Sequence, residues 1–180
     1  MSRANVASTT CYIARTTAVA LLAIALIVPA AGAQGGPPST VTFTGGRGPI
    51  SNTVAIPANA AVVWTSGTVP GVADANAPQG SRARYGDTKT QAISVLTNIE
   101  TRLKEHGLTM KDVVYLRAYL VPDPEKGGTI DSQGWNDAYG QFFNTATNPT
   151  KPARSTVGVT ALVSPAWLVE VEAFAVFPPG

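Results

Sequence analysis

The chain has 180 residues, 13 Lys+Arg against 11 Asp+Glu, one histidine and one cysteine. Those two small counts exclude a protein zinc cage and a disulfide framework. His106 lies in what reads as the last turn of a helix, beyond reach of a Ser66 or Ser155 partnership, so a Ser-His-Asp hydrolase is disfavoured as well.

In chain order, residues 1–33 read as a secretory signal. Arg3 and Arg15 supply a positive start, Ala18 to Val28 an apolar run, and Ala31-Gly32-Ala33 a small-residue cleavage site before Gln34. The alternative, an uncleaved anchor, lacks a basic stop-transfer flank, and the run is short for a bilayer. Cys11 would leave with this segment. Without Arg3 and Arg15 the 13 Lys+Arg fall to 11, matching the 11 Asp+Glu. A neutral mature protein has no general attraction for nucleic acid or anionic membrane, which speaks against both as partners. The expected location is therefore periplasmic or secreted. Residues 34–46 read as a flexible leader, and 47–180 as one domain large enough for its own core.

Ala61 to Ser66 is β-branched and aromatic, stopped by Gly67, and predicts a strand. The Gly-, Pro- and Asp-rich stretch Thr68 to Ala83 predicts a surface loop, with Arg82 and Arg84 in solvent. Asp87 is a helix cap. Ala92, Leu96, Ile99 and Leu103 follow as an apolar stripe, and Gly107 ends the helix. Val113 to Val121 alternates, with Val114, Leu116, Ala118 and Leu120 facing one way and Tyr115, Arg117 and Tyr119 the other. A second helix is expected around Trp135 to Phe143. Its Trp135, Ala138, Tyr139 and Phe142 recur at helical spacing and read as core.

Two closing strands are expected at Ser155 to Ala161 and Leu168 to Val176. Alternation assigns Val157, Val159 and Ala161 to one side of the first, and Arg154, Thr156, Gly158 and Thr160 to the other. In the second strand Val169, Val171, Ala173 and Ala175 oppose Glu170 and Glu172, beside Leu168 and Phe174. Two helices suffice to cover one side of such a sheet. The other side would gather Tyr115, Arg117, Tyr119, Arg154, Thr156, Glu170, Glu172 and Phe174. That surface is too aromatic for water and too charged for a core, and burial against identical subunits is the economical solution.

Several stretches resemble the RidA (YjgF-type) family of imine deaminases, in the family's order. They are GPISN (48–52), WTSG (64–67), TQAISVLTNIETRLKEHGLTMKDVV (90–114), WNDAYGQFF (135–143), PARSTVGV (152–159) and VEVEAFAV (169–176). The PARS motif followed by a paired-glutamate strand is the specific part. The resemblance implies a chorismate-mutase-like α+β fold, a single mixed sheet with two helices on one face, assembled as a homotrimer with ligand sites in inter-subunit clefts. It requires no cofactor and no metal.

By the same resemblance, Arg154 binds the carboxylate of a small 2-imino or 2-enamino acid. Glu170 orients the attacking water and accepts its proton, Gly67 offers backbone contacts, and Asn136 borders the cleft. A planar guanidinium suits that task because it grips a carboxylate by two parallel hydrogen bonds and stays charged. The chain departs from the family at three places in the expected pocket. Ile50 stands where tyrosine is usual, Asn52 where glutamine is, and Thr156 where cysteine is frequent. Ile50 cannot donate a hydrogen bond, so that end of the pocket is expected to be more apolar.

Three readings stay open at this stage. The first is an exported imine deaminase. The second is a non-catalytic carboxylate-binding trimer, and the third, less favoured without a basic stripe, is a ribonuclease. Arg154 also has a structural alternative, as half of an inter-subunit ion pair with Glu170 or Glu172.

Overall fold

The computed structural model describes residues 36–46 and 48–179, so the signal read over 1–33 lies outside the described residues. Six strands and two helices follow one another: β1 (Thr42–Thr44), β2 (Thr53–Ala55), β3 (Val62–Trp64), α1 (Thr88–Glu105), β4 (Val113–Leu120), α2 (Ser132–Phe142), β5 (Ala153–Gly158) and β6 (Val169–Val176). Strands β1 and β2 form a separate antiparallel hairpin, which begins inside the segment 34–46 expected as a leader. Three-residue strands carry too little alternation to be seen in sequence.

The main sheet has the order β3-β6-β4-β5. Strands β4 and β5 run parallel, and the other pairs run antiparallel. A parallel neighbour cannot be reached by a tight turn, and α2 supplies the crossover. The chain is thus α+β, with both helices on one mixed sheet. Among the described residues no helix is long and apolar enough to cross a membrane.

Helix α1 starts where the sequence places it. The Asp87 carboxylate accepts a hydrogen bond from the Thr90 amide at 2.9 Å, and Gly107 leaves the helix with φ 73°. Its stripe of Ala92, Val95, Leu96, Ile99 and Leu103 is wholly buried. Gln91, an unannounced polar member of the buried face, has both ends bonded. Its amide nitrogen donates to the carbonyls of Gly86 and Ala166, each at 3.0 Å, and its oxygen accepts from the Leu168 amide at 2.7 Å. A fully bonded amide can be buried without a desolvation penalty, and this one fastens the approach to β6 onto α1. Helix α2 begins earlier than expected, with the Asp131 side chain accepting from the Gly134 amide at 2.9 Å. Trp135, Ala138, Tyr139 and Phe143 join the core.

The alternation of β4 and β6 holds from Tyr115 onward, but a bulge between Val113 and Tyr115 puts Val113, in place of the expected Val114, into the core. Leu116, Ala118 and Leu120 stand opposite Ala173, Val171 and Val169 under the helices. On the open face Tyr115, Arg117 and Tyr119 stand opposite Phe174, Glu172 and Glu170. The Arg117 guanidinium meets the Glu172 carboxylate at 3.3 Å. Trp64 packs on Phe174, with ring centroids 4.2 Å apart, yet remains 65% exposed.

One expected placement is corrected. Arg154 and Thr156 do not share the open face with those residues. In the parallel register Arg154 pairs with Leu116 and Thr156 with Ala118, whereas Ser155 pairs with Arg117 and Val157 with Tyr119. Side chains in register on neighbouring strands project to the same face. Arg154 and Thr156 therefore point to the helix-covered side, and Val157 to the open one. Alternation separates the two sets correctly but does not say which set the helices cover. On this edge strand the apolar set faces outward. The strand also starts at Ala153, so Arg154 lies within it.

The loop after β3 is tied down instead of solvated. Arg82 pairs at 3.1 Å with the fully buried carboxylate of Asp123 and also with Glu125. Arg84 donates to the carbonyls of Ala75 and Ala77 at 2.9 Å.

Two outcomes are expected. Leu96→Ala empties part of the contact between α1 and the sheet and should cost about 2–5 kcal/mol in denaturant unfolding; a loss below about 1 kcal/mol would show that the core can close over the gap. Burial pushes the Tyr139 phenol well above its ordinary range. Its folded pKa is raised, so its contribution to stability is complete below the unfolded phenol value of about 10 and is lost as pH climbs towards the folded value. Unfolding followed from pH 8 to 11 should show stability falling at the alkaline end, and Tyr139→Phe should flatten that fall.

Candidate functional site

Arg154 leaves β5 on the helix side, under α2. One helical turn brings Trp135, Asn136 and Tyr139 to the same end of α2, and the guanidinium settles among them. Its Nη2 donates to the Asn136 Oδ1 at 3.0 Å. The Cζ lies 4.4 Å from the Tyr139 ring centroid and 5.4 Å from that of Trp135. Nη1 is buried and has no hydrogen-bond partner. Burial draws the guanidinium pKa below its ordinary value, and the Tyr139 phenol opposes the shift. An arginine has so much room above neutrality that it stays charged.

No carboxylate among the described residues lies within ion-pair distance of Arg154. Neither Glu170 nor Glu172 pairs with it within the protomer. Glu172 is engaged by Arg117. A half-buried charge held by aromatic faces and one neutral amide retains most of its attraction for an anion.

The Pro49–Ser51 segment lies against the same helix. The Tyr139 hydroxyl donates to the Pro49 carbonyl at 3.0 Å, and the Ser51 amide reaches the Pro152 carbonyl at 3.4 Å. Ile50, half-buried on the core, is thereby fastened to residues on either side of Arg154 in the fold. Thr156 stands two residues along β5 on the same face, about 7 Å further on, and is exposed. Asn52 belongs elsewhere, with its side chain against Gly45 in the hairpin turn.

Gly67 and Glu170 form a second group. The Glu170 carboxylate lies so close to the Gly67 backbone that a Cβ there would collide with it, which explains the glycine. Glu170 stands on the open face, opposite Tyr119. Beside Gly67 a cleft of about 460 Å³ runs along residues 63–67 to Arg102, Glu105 and His106 at the end of α1. Arg102 closes one wall by donating to the Thr68 hydroxyl at 2.6 Å.

The expected site residues therefore fall into two halves. Arg154, Asn136, Ile50 and Thr156 gather on the helix side of β5, and Gly67 with Glu170 gathers on the open side of β6. Strand β4 lies between, so the two backbones are about 10 Å apart and the side chains diverge to opposite faces. Trp135 and Tyr139, read in sequence as core alone, prove to be core and cradle together. Their spacing around Asn136 on one helical turn was the available signal. Among the described residues no group of His, Cys, Asp and Glu could hold a metal ion.

Comparison with known proteins agrees with this architecture. The family model described as endoribonuclease L-PSP matches residues 47–177. A RutC family protein of Pyrococcus abyssi is 33% identical over 98 residues, which span 54% of this chain and 68% of the relative. One from Synechocystis is 37% identical over 93 residues, 52% of this chain and 64% of that protein. Among solved structures, YyfB of the conserved Rid family from Yersinia pestis superposes with TM-score 0.54 at 27% identity, covering 72% of this chain and 87% of that one. PA3499 from Pseudomonas aeruginosa gives TM-score 0.53 at 25% identity, covering 75% and 86%. With PARS on the edge strand, paired glutamates on β6 and two helices over a mixed sheet, the chain belongs to the RidA/YjgF family, which also carries the description endoribonuclease L-PSP.

Proposed function

We propose that the protein is an exported imine deaminase, hydrolysing small 2-imino or 2-enamino acids to 2-keto acids and ammonia at sites shared between subunits of a homotrimer. The observation that carries this reading is the unpaired guanidinium of Arg154. Its neighbours orient it and none neutralises it, which suits a carboxylate arriving from outside. The export signal read over residues 1–33 supports a periplasmic or secreted location.

Hydrolysis needs more than the clamp. Water adds through its oxygen to the imine carbon with one proton passing to nitrogen, and the remaining hydroxyl proton passes to nitrogen as the C–N bond breaks, releasing ammonia and leaving the carbonyl. Glu170 can hold that water and take its proton, with Gly67 leaving room for the carboxylate. Because Arg154 and Glu170 diverge to opposite faces of one sheet, Glu170 would come from a second copy. Contact between two unlike faces runs head to tail and closes as a ring, in keeping with a trimer. The exposed Trp64, Val62 and Val157 on the open face give such a contact apolar area.

A second reading, a carboxylate-binding protein without hydrolysis, draws support from Ile50 and Thr156. Ile50 offers no hydrogen-bond donor to a polarised substrate, and Thr156 no thiol. Ribonuclease activity finds less support, because the mature charge is balanced and no basic stripe with interleaved aromatics is present in the sequence.

The purified protein should hasten the disappearance of an imino acid generated in situ by an amino-acid oxidase, followed as keto acid and ammonia formed. Arg154→Ala should slow this by roughly a hundredfold, the loss typical of truncating one partner of a buried charge pair, while light scattering shows an unchanged trimer. Equal rates for both proteins would remove hydrolysis and favour the binding reading.

A further inference from the structure

We propose that Tyr139 is the positioning residue of the anion site, a single side chain that orients Arg154 and at the same time fixes the Ile50 wall of the pocket. The proposal rests on the reading of Arg154 as a carboxylate anchor and adds what sets its geometry.

Tyr139 is 1% exposed and lies in a stack. Phe143 lies nearly parallel to its ring, at 4.9 Å between centroids and 28° between planes, and the Arg154 Cζ lies over it at 4.4 Å. The phenol ring thus contacts both Phe143 of the core and the guanidinium, with Trp135 beside the cation at 5.4 Å. The choice of partner matters physically. A glutamate would orient the guanidinium and cancel its charge, whereas a ring face holds it through the quadrupole and leaves the charge to act on a ligand. The buried Nη1, without a hydrogen-bond partner, lies on the same guanidinium that these rings flank.

The other end of Tyr139 does separate work. Its hydroxyl donates to the Pro49 carbonyl at 3.0 Å, and the Ser51 amide two residues on meets the Pro152 carbonyl at 3.4 Å. Ile50 is pinned between those two bonds. One phenol therefore ties the backbone flanking Ile50 to the ring on which the guanidinium rests.

The test uses pyruvate and 2-oxohexanoate as stable 2-keto acid probes, with calorimetric affinity and the Arg154 side-chain N–H resonance as readouts; Arg154→Lys assigns the resonance. In the wild type, ring currents displace that resonance from the ordinary arginine position. Tyr139→Leu, shown folded by circular dichroism, should return it to the ordinary position and weaken both acids about tenfold. Tyr139→Phe keeps the ring, so the resonance should stay displaced and pyruvate affinity should hold within about twofold, while discrimination between the two acids falls about threefold as the wall loosens. A folded Leu variant with wild-type resonance and affinity would overturn the proposal. If the Leu variant does not fold, the Phe variant decides, and unchanged discrimination overturns it. Should the wild type bind neither acid, the functional reading fails, and the resonance in the folded variants still decides whether Tyr139 orients Arg154.

Discussion

A guanidinium that no carboxylate among the described residues pairs with is the feature on which the rest of this structure turns. Arg154 lies on the face of Tyr139, near Trp135, and is bonded once to Asn136. Half-burying a cation costs desolvation, which proteins ordinarily offset with a nearby carboxylate. Here the offset comes from ring faces and one neutral oxygen, which stabilise the charge without quenching it. The core beneath, from Phe143 through Tyr139 and across to the α1 stripe, keeps that arrangement rigid.

Strand parity then decides how such a charge can be used. Arg154 is in register with Leu116, and Glu170 with Tyr119, which places them on opposite faces of the same sheet. No rotamer change brings them together, because β4 stands between. A chemistry that uses both a cationic clamp and a basic carboxylate therefore cannot draw them from one copy, and the open face carries an exposed Trp64 beside Phe174 and an Arg117–Glu172 pair. Two of the three positions at which this chain departs from its family, Ile50 and Thr156, lie on the Arg154 side of the sheet, whereas Asn52 packs in the hairpin turn.

Much of this was legible from local rules. Asp87 announces α1, the stripe from Ala92 to Leu103 announces its buried face, and the alternation of Tyr115 to Leu120 and of Val169 to Ala175 sorts the faces of two central strands; the bulge after Val113 and the burial of Leu168 escape it. Local rules stop at β5. Its apolar set was expected under the helices because hydrophobic residues usually face a core, but in a subunit with a second apolar face the rule has two answers. The hairpin of β1 and β2 is too short for periodicity, and the burial of Gln91 and Asp123 depends on partners far along the chain. The role of Tyr139 was hidden for a similar reason, since a buried aromatic at helical spacing looks the same whether or not a cation rests on it.

The most direct measurement is complementation between two defective copies. Arg154→Ala and Glu170→Gln should each be inactive in imine hydrolysis. When the two are unfolded together in equal amounts and refolded, random assembly gives about one site in four an intact arginine from one subunit and an intact glutamate from its neighbour, so roughly a quarter of wild-type activity should return. No recovery from a mixture that light scattering shows to have assembled, or full activity in either variant alone, would contradict the account.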